Sequence, residues 1–348
     1  MGLRVAIVGA TGVVGTEFIK LLERRNFPLD ALTLLASPRS AGRVLSFRGQ
    51  SLTVQLLTHD SFQDVDLAFF SAGASVSKEF CPSAAQAGAF VIDNSSAFRM
   101  DPAVPLVVPE VNPDTIRNHK GIIANPNCTT IQMVVVLKPL HDAARIRRVV
   151  VSTYQAVSGT GAKAIEELES QVRDLAAGNP ARNEVYPVQI AFNVLPHVDV
   201  FMDNGYTKEE MKMVHETRKI MGDEDIMVSA TCVRVPVVRA HSEAVHIETE
   251  QKLTAQEARS ILEKAKGVIV KDERGPGGYP VPLEVTERYE TYVGRIREDI
   301  SVQNGLAFWI VADQLFKGAA LNGLQIAEYA MAHGILRRKD TTRKRALH

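Results

Sequence analysis

Seven residues near the N-terminus, Gly9-Ala10-Thr11-Gly12-Val13-Val14-Gly15, restrict this chain more than any other stretch. They follow an apolar run, Leu3 to Val8, that fits a buried parallel strand, and they precede helical spacing from Thr16 to Leu22. Glycines at positions 9, 12 and 15 permit a tight turn and let backbone amides approach a pyrophosphate at a helix N-terminus. The spacing is G-x-x-G-x-x-G rather than the commoner G-x-G-x-x-G, so the turn alone would also suit an unliganded bend. Strand before and helix after put a dinucleotide first, with Gly9, Thr11, Gly12, Val13 and Val14 as its expected contacts.

The next strand, Ala31 to Ala36, should end near the adenosine ribose, where an NAD-preferring fold places Asp or Glu. Here it runs into Ser37-Pro38-Arg39-Ser40, with Arg43 following. Hydroxyls and a guanidinium suit a 2′-phosphate, so the expected cofactor is NADP, held by Ser37, Arg39 and Ser40. Strands at Val65–Ser71 and Phe90–Asp93 flank a helix-like stretch from Ser77 to Ala87, and Ser71 closes a third turn over the cofactor. Alternating strands and helices predict a Rossmann-type doubly wound parallel sheet.

A second signal is Asn125-Pro126-Asn127-Cys128-Thr129-Thr130, set before an apolar helical run from Ile131 to Leu140. Asn127, Cys128 or a neighbouring threonine should fall at the cap or first turn, where the positive helix end favours a thiolate. A lone cysteine is as often a buried structural residue, so its company decides. Beyond Arg145 the pattern changes. Runs at Val149–Gln155, Ile226–Val235, Ala244–Glu250, Val268–Lys271 and Ile300–Ala312 predict a mainly antiparallel sheet in an α+β domain, with a helix over Ala162–Ala177. Asn179 to Asn204 reads as a long irregular connection, and Lys317 to Leu336 as an amphipathic closing helix. Arg234, Arg239 and His241 lie in one β-rich stretch. Unbroken alternation puts Arg239 and His241 on one face and Arg234 on the other, unless Pro236 resets the count.

Taken together, these segments resemble the aspartate-β-semialdehyde dehydrogenases over nearly the whole chain. The matching stretches are Gly9–Gly15, Ser95–Arg99, Asn125–Thr130, Tyr154–Gly159, Glu209–Lys212 and Arg234–His241, in order. The resemblance implies NADPH-dependent reductive dephosphorylation of aspartyl-4-phosphate to the semialdehyde, releasing inorganic phosphate, on the route to lysine, threonine and methionine. It implies Cys128 as thioester-forming nucleophile, His241 as general acid/base with a pKa near neutrality, and Gln155 as positioning group. Arg234 would grip the substrate carboxylate, with Arg239 as the competing choice. Glu209 would meet the ammonium, and Arg99 and Lys212 the phosphate; the bland alternative for Glu209 and Lys212 is a surface ion pair. Ser158, Gly159 and Asn322 would lie on the nicotinamide side. The implied division is a NADP-binding domain over 1–128 and 316–348 and a catalytic and dimerisation domain over 129–315. Gly278 and Tyr279 would lie beside the dimer interface, and Ser37–Ser40 with Gly161–Asn204 suit the Gram-positive-type branch.

Two other readings stay open. An N-acetyl-γ-glutamyl-phosphate reductase shares the plan but carries Pro-Gly-Cys where this chain has Pro-Asn-Cys. A non-catalytic NADP-binding sensor would keep the glycine turn without needing Cys128, Gln155 and His241 together. A glyceraldehyde-phosphate dehydrogenase would need Ser-Cys-Thr-Thr-Asn around its nucleophile. The formal net charge of zero argues against nucleic acid, and no apolar run is long enough to span a bilayer. Three scattered cysteines predict neither disulfides nor a metal site, and a cytoplasmic homodimer is expected. The basic stretch from Arg337 to Arg345 reads as a solvated tail.

Overall fold

The computed structural model describes residues 2–339, so Arg343, Lys344 and Arg345 of the basic tail lie outside the described residues. The chain forms two units. The described residues up to Pro126 and from Ala319 onwards make the first, and Asn127–Gly318 make the second.

The first unit opens with β1 (Leu3–Val8), α1 (Val13–Arg24), β2 (Leu29–Ala36), a hairpin of β3 (Val44–Phe47) and β4 (Gln50–Thr53), and β5 (Gln55–Leu56). It continues with β6 (Leu67–Phe70), α2 (Ala74–Gln86), β7 (Phe90–Asp93) and β8 (Ile122–Ala124). Its six-stranded sheet has the order β5-β2-β1-β6-β7-β8, with every pairing parallel. Buried on both faces, its strands need no polar alternation, which is why β1, β6 and β7 read as unbroken apolar runs. The chain leaves β1 for β2 on one side and returns to β6 on the other, so the strand order reverses there. In such sheets the crevice at that reversal holds the ligand.

The second unit starts with α3 (Cys128–Ala144), β9 (Ile146–Gln155), α4 (Ala162–Ala176), α5 (Lys208–Met221), β10 (Met227–Arg234) and β11 (His241–Thr249). It closes with α6 (Ala255–Leu262), β12 (Val268–Val270), α7 (Pro282–Val285), β13 (Thr291–Glu298) and β14 (Gly305–Ala312). The sheet order is β10-β9-β11-β14-β13-β12. The central pairings are antiparallel and the two outer ones parallel, a mixed sheet. α3 packs on β9, β11, β13 and β14, and it is buried almost all round, so its sequence is apolar rather than amphipathic.

The irregular stretch between α4 and α5 is ordered by buried side chains of α4. Glu167 accepts from the amides of Glu184 (2.8 Å), Val185 and Tyr186 (3.3 Å), and Gln171 Oε1 accepts from those of Ile190 and Ala191, both at 3.0 Å. These side chains satisfy the backbone that a sheet partner would otherwise satisfy. After Gly318 the chain returns to the first unit as α8 (Leu321–Ala332), preceded by a π-turn over Phe316–Ala320.

Three expectations need correction. The predicted strand over Ile300–Ala312 starts at Gly305, and Ile300 sits fully exposed in the turn before it. β13 escaped notice because its charges and the left-handed Arg295 (φ 56°) break the alternation. The closing helix expected over Lys317–Leu336 does return to the first unit, but α8 is more buried than an amphipathic pattern implies, with Gly323 close enough to Phe18 that a Cβ would stand 3.0 Å from the ring.

Gly15 explains why the glycine turn tolerates so little. A Cβ there would stand 2.2 Å from the Gly9 carbonyl oxygen and 2.8 Å from the Ala10 Cα, backbone atoms that cannot swing aside. Gly12 has only that oxygen at 3.3 Å and an ordinary extended backbone (φ −80°). We expect Gly15→Ala to cost about 1–3 kcal/mol of stability by overpacking. Gly12→Ala should stay within about 0.5 kcal/mol. Urea unfolding followed by circular dichroism checks both, and equal midpoints would refute the packing argument.

Candidate active site

In the first unit, a cleft of about 440 Å³ opens at the carboxyl ends of β1, β2 and β6. Gly9, Thr11, Gly12, Ser37, Arg39, Ser40 and Ser71 all line it, as expected of the nucleotide contacts. Gly9 sits at φ +82°, and a Cβ there would stand 2.9 Å from the Ser71 backbone, so only glycine lets these two turns close on one crevice. The volume and polar backbone rim suit a nucleotide. One feature differs from the sequence reading: no carboxylate follows β2, but Glu79 of α2 also lines the cleft. Val13 and Val14 open α1 and are not among the lining residues.

Arg99, also in this unit, is buried, with Nε donating to the Asn125 carbonyl (2.9 Å) and Nη2 to that of Asn94 (3.0 Å). Asn322 is fully buried, and its amide donates to the Val107 carbonyl (2.9 Å) and to Asn125 Oδ1 (2.7 Å). It belongs to the interior rather than to the cleft lining.

In the second unit, sheet register builds a row of polar side chains. Arg234 pairs with Gln155, and the pairing of Ser242 with Tyr154 puts His241 beside Gln155 on the other side. All three are buried. Arg234 ends one strand and His241 opens the next, because the chain leaves the sheet after Arg234 and re-enters at His241. Pro236 lies in the intervening loop, and Ala240 adopts a left-handed backbone (φ 71°). Gln314 holds that bend, accepting from the Ala240 amide (2.8 Å) and donating to Ser158 Oγ (2.6 Å). The loop therefore brings Arg234 and His241 together. Both approach Gly159, where a Cβ would stand 3.2 Å from Arg234 Nη1 and from the imidazole Cε1. Arg239 is directed elsewhere, with Nε on Asp313 (2.7 Å) and its guanidinium over the Phe316 ring.

Asn127 caps α3, its Oδ1 accepting from the amides of Thr129 (3.1 Å) and Thr130 (3.4 Å), so Cys128 is the first helical residue. The same side chain donates to Glu209 Oε1 (2.9 Å), and Gln155 Nε2 donates to that same oxygen (3.0 Å). Glu209 Oε2 accepts from Lys212 (3.0 Å), which also reaches Asp199 (2.8 Å). The ion pair read as a possible surface feature is thus a mostly buried triad. Burial would push the Glu209 carboxyl up, but the Lys212 charge and the hydrogen bonds of Asn127, Lys212 and Gln155 outweigh it and hold it below its ordinary range. Burial lowers Lys212, and its two carboxylates more than restore it.

The three cysteines separate cleanly. Burial raises Cys81, with Asp93 adding to the shift, and burial raises Cys232, with Glu209 adding. Cys128 alone of the three is partly exposed, at a helix N-terminus. Gly318 packs over it, where a Cβ would come within 2.8 Å of its own.

His241 is not the near-neutral imidazole expected. Burial and then the neighbouring Arg234 cation lower its pKa well below the usual value. Nδ1 accepts from the Ala156 amide (3.0 Å), which leaves the proton of the neutral ring on Nε2. His241 Nε2, Gln155 Oε1 and Arg234 Nε are buried without a partner, a set of polar atoms suited to a polar substrate. Sequence reasoning missed Asn127 as the link to Glu209, as well as Asp199, Gln314 and Asp313. Only Asn127 carried a local signal, the Asn-x-Thr-Thr cap pattern.

Comparison with known proteins bears on this arrangement. The model of the semialdehyde dehydrogenase NAD binding domain matches residues 4–119, and that of the semialdehyde dehydrogenase dimerisation domain matches residues 137–317. An aspartate-semialdehyde dehydrogenase of Aquifex aeolicus is 57% identical over 340 residues, covering 97% of this chain and 100% of that protein. The crystal structure of aspartate semialdehyde dehydrogenase II complexed with ASA from Vibrio cholerae is 47% identical with TM-score 0.93, over 95% of this chain and 99% of that one. An aspartate semialdehyde dehydrogenase with NADP from Candida albicans is 26% identical with TM-score 0.78, over 96% of this chain and 100% of that one.

The His241 geometry sets a pH expectation. A histidine lowered in the folded state stays neutral below about pH 6.5 while the unfolded chain takes up a proton, so it subtracts stability as pH falls through that value. In ¹⁵N-histidine spectra, His241 should keep the Nε2–H tautomer without titrating between about pH 5.5 and 8. A titration midpoint inside that window would overturn the assignment.

Proposed function

The chain belongs to the aspartate-semialdehyde dehydrogenase family, and we propose that it reductively dephosphorylates aspartyl-4-phosphate with NADPH through a thioester on Cys128. The observation that carries this reading is the convergence of Asn127, beside Cys128, and Gln155, beside Arg234 and His241, on one Glu209 oxygen. That link joins the nucleophile's turn to the polar row, as acyl transfer requires.

Cys128 attacks the acyl carbon as thiolate, the C–O bond to phosphate breaks, and inorganic phosphate leaves with the electron pair. Bound NADPH supplies hydride chemistry, and the first unit's glycine turn with Ser37, Arg39, Ser40 and Ser71 would hold it. His241 keeps its proton at Nε2, where it can be donated to the acyl oxygen as charge develops there. Gly159 lies against that imidazole, and the preceding Ser158 is held by Gln314. Arg234 presents its unpartnered Nε to the substrate carboxylate, while Arg239 is committed to Asp313. Glu209 has about four acceptor sites and three are in use, leaving one for the ammonium. Lys212 has one donor beyond the two its carboxylates take, which would meet the phosphate. We further read the enzyme as a cytoplasmic homodimer, in keeping with three cysteines that form no disulfide among the described residues and with a matched dimerisation domain.

Phosphate-dependent reduction of NADP by the purified protein with L-aspartate-β-semialdehyde tests the reaction. Cys128→Ser should lose at least about a thousand-fold in turnover and keep its NADP affinity. A folded, NADP-binding wild type that turns over N-acetylglutamate semialdehyde instead would sink the assignment. Arg39→Ala should cut the preference for NADP over NAD by about 10- to 100-fold, the worth of one charged hydrogen bond. Unchanged selectivity would place the 2′-phosphate elsewhere.

A further inference from the structure

One pleat behind the row of Arg234, Gln155 and His241 lies a second row, Cys232, Thr153 and Glu243, set by the pairing of Thr153 with both neighbours. Glu243 follows His241 by two residues on the same face of β11. Against it lies Gln132 of α3, four residues after Cys128 and so one turn behind it. Glu243 and Gln132 are both fully buried, and neither carboxylate oxygen nor either amide atom has a partner of good geometry. Two apolar side chains would fill this space at lower cost, because each unsatisfied buried group costs about 1–3 kcal/mol. Burial pushes the Glu243 carboxyl well above its ordinary range, only partly offset by Gln132, and so favours the neutral acid. A neutral acid and a primary amide are complementary, O–H to amide oxygen and N–H to acid oxygen, whereas a carboxylate could only accept.

We infer that Gln132 and Glu243 form a positioning clamp between α3 and β11, which holds the turn that carries Cys128 in register with His241 during the reaction. The clamp touches neither substrate nor cofactor and acts through the residues one turn and one pleat ahead of it. This inference rests on the proposed reaction for its kinetic consequence but not for its structural one.

The test uses Glu243→Gln, Glu243→Leu, and the double variant Gln132→Leu with Glu243→Leu. Replacing both partners by apolar groups is near neutral for stability, so the double variant should fold with an unfolding midpoint at or above that of the wild type. It should nevertheless lose about 10- to 100-fold in kcat with KM within about three-fold, as expected when reacting groups are misplaced rather than removed. Glu243→Gln offers Gln132 the same one donor and one acceptor as the neutral acid and should retain kcat within about three-fold. Iodoacetamide labelling of Cys128 gives a readout independent of substrate, and the double variant should react at a rate at least about three-fold from wild type. Infrared spectra should show a protonated-acid carbonyl band at pH 8 that Glu243→Gln removes. A folded double variant with wild-type kcat and labelling rate would overturn the clamp, as would a missing acid band or a Glu243→Gln as impaired as Glu243→Leu. If the wild type has no turnover on the semialdehyde, the labelling and infrared results still decide the clamp separately.

Discussion

A single carboxylate organises the second unit. Glu209 is buried, and an unpaired charge there would cost several kcal/mol, so its environment must supply donors before the unit can close. The donors come from three elements: the cap of α3 through Asn127, the end of β9 through Gln155, and α5 itself through Lys212. The helix cap, the strand end and the ion pair are therefore one interaction, not three. Its sign with pH follows from the shifts. Glu209, lowered on folding, contributes stability above about pH 4.3, which is lost as pH falls through the folded value; Lys212, raised on folding, contributes below about pH 10.4 and loses that as pH rises through its own. Between those limits the triad keeps the cap of α3 in place, and with it the first helical residue.

The first unit depends on a steric constraint rather than a charge. Gly9 and Gly15 let β1, α1 and the turn after β6 approach to backbone contact, and the crevice that results is lined by amides and hydroxyls. The guanidinium of Arg39 and the carboxylate of Glu79 line the same cleft. Two opposed charges therefore border the cleft, where the segment after β2 by itself suggested only one.

What the sequence made legible was whatever local patterning controls. Apolar runs bounded by glycine, proline or polar turn residues announced β1, β2, β6 and β7, and the first-unit cleft gathers most of the residues named from those turns. The cap of α3 was readable to within one residue because Asn, Ser, Thr and Asp satisfy helix amides in a recognisable pattern. The choice between Arg234 and Arg239 was not readable. It depends on a left-handed Ala240, on Gln314 bracing that bend, and on Asp313 claiming Arg239, none of which leaves a periodic trace. Nor could spacing reveal that Glu209 and Lys212 are mostly buried, since burial of an i, i+3 ion pair depends on what the rest of the unit packs over it.

The same argument explains why His241 differs from a free imidazole. Two features of its surroundings disfavour the charged form: the low-dielectric interior and a guanidinium that shares its approach to Gly159. The Ala156 amide then selects the tautomer by donating to Nδ1, while the Ala156 carbonyl accepts from Arg234 Nη1 at 2.7 Å. One residue's two backbone polar groups thus orient both side chains, and among the described residues His241 Nε2 and Arg234 Nε are left without a protein partner. Such a histidine is suited to donating a hydrogen bond as negative charge develops on an acyl oxygen, where a fixed dipole in a dry site is worth most. In the proposed reaction, activation of the thiol then falls to the helix end that Asn127 caps, which returns the chemistry to the carboxylate that Asn127 and Gln155 share.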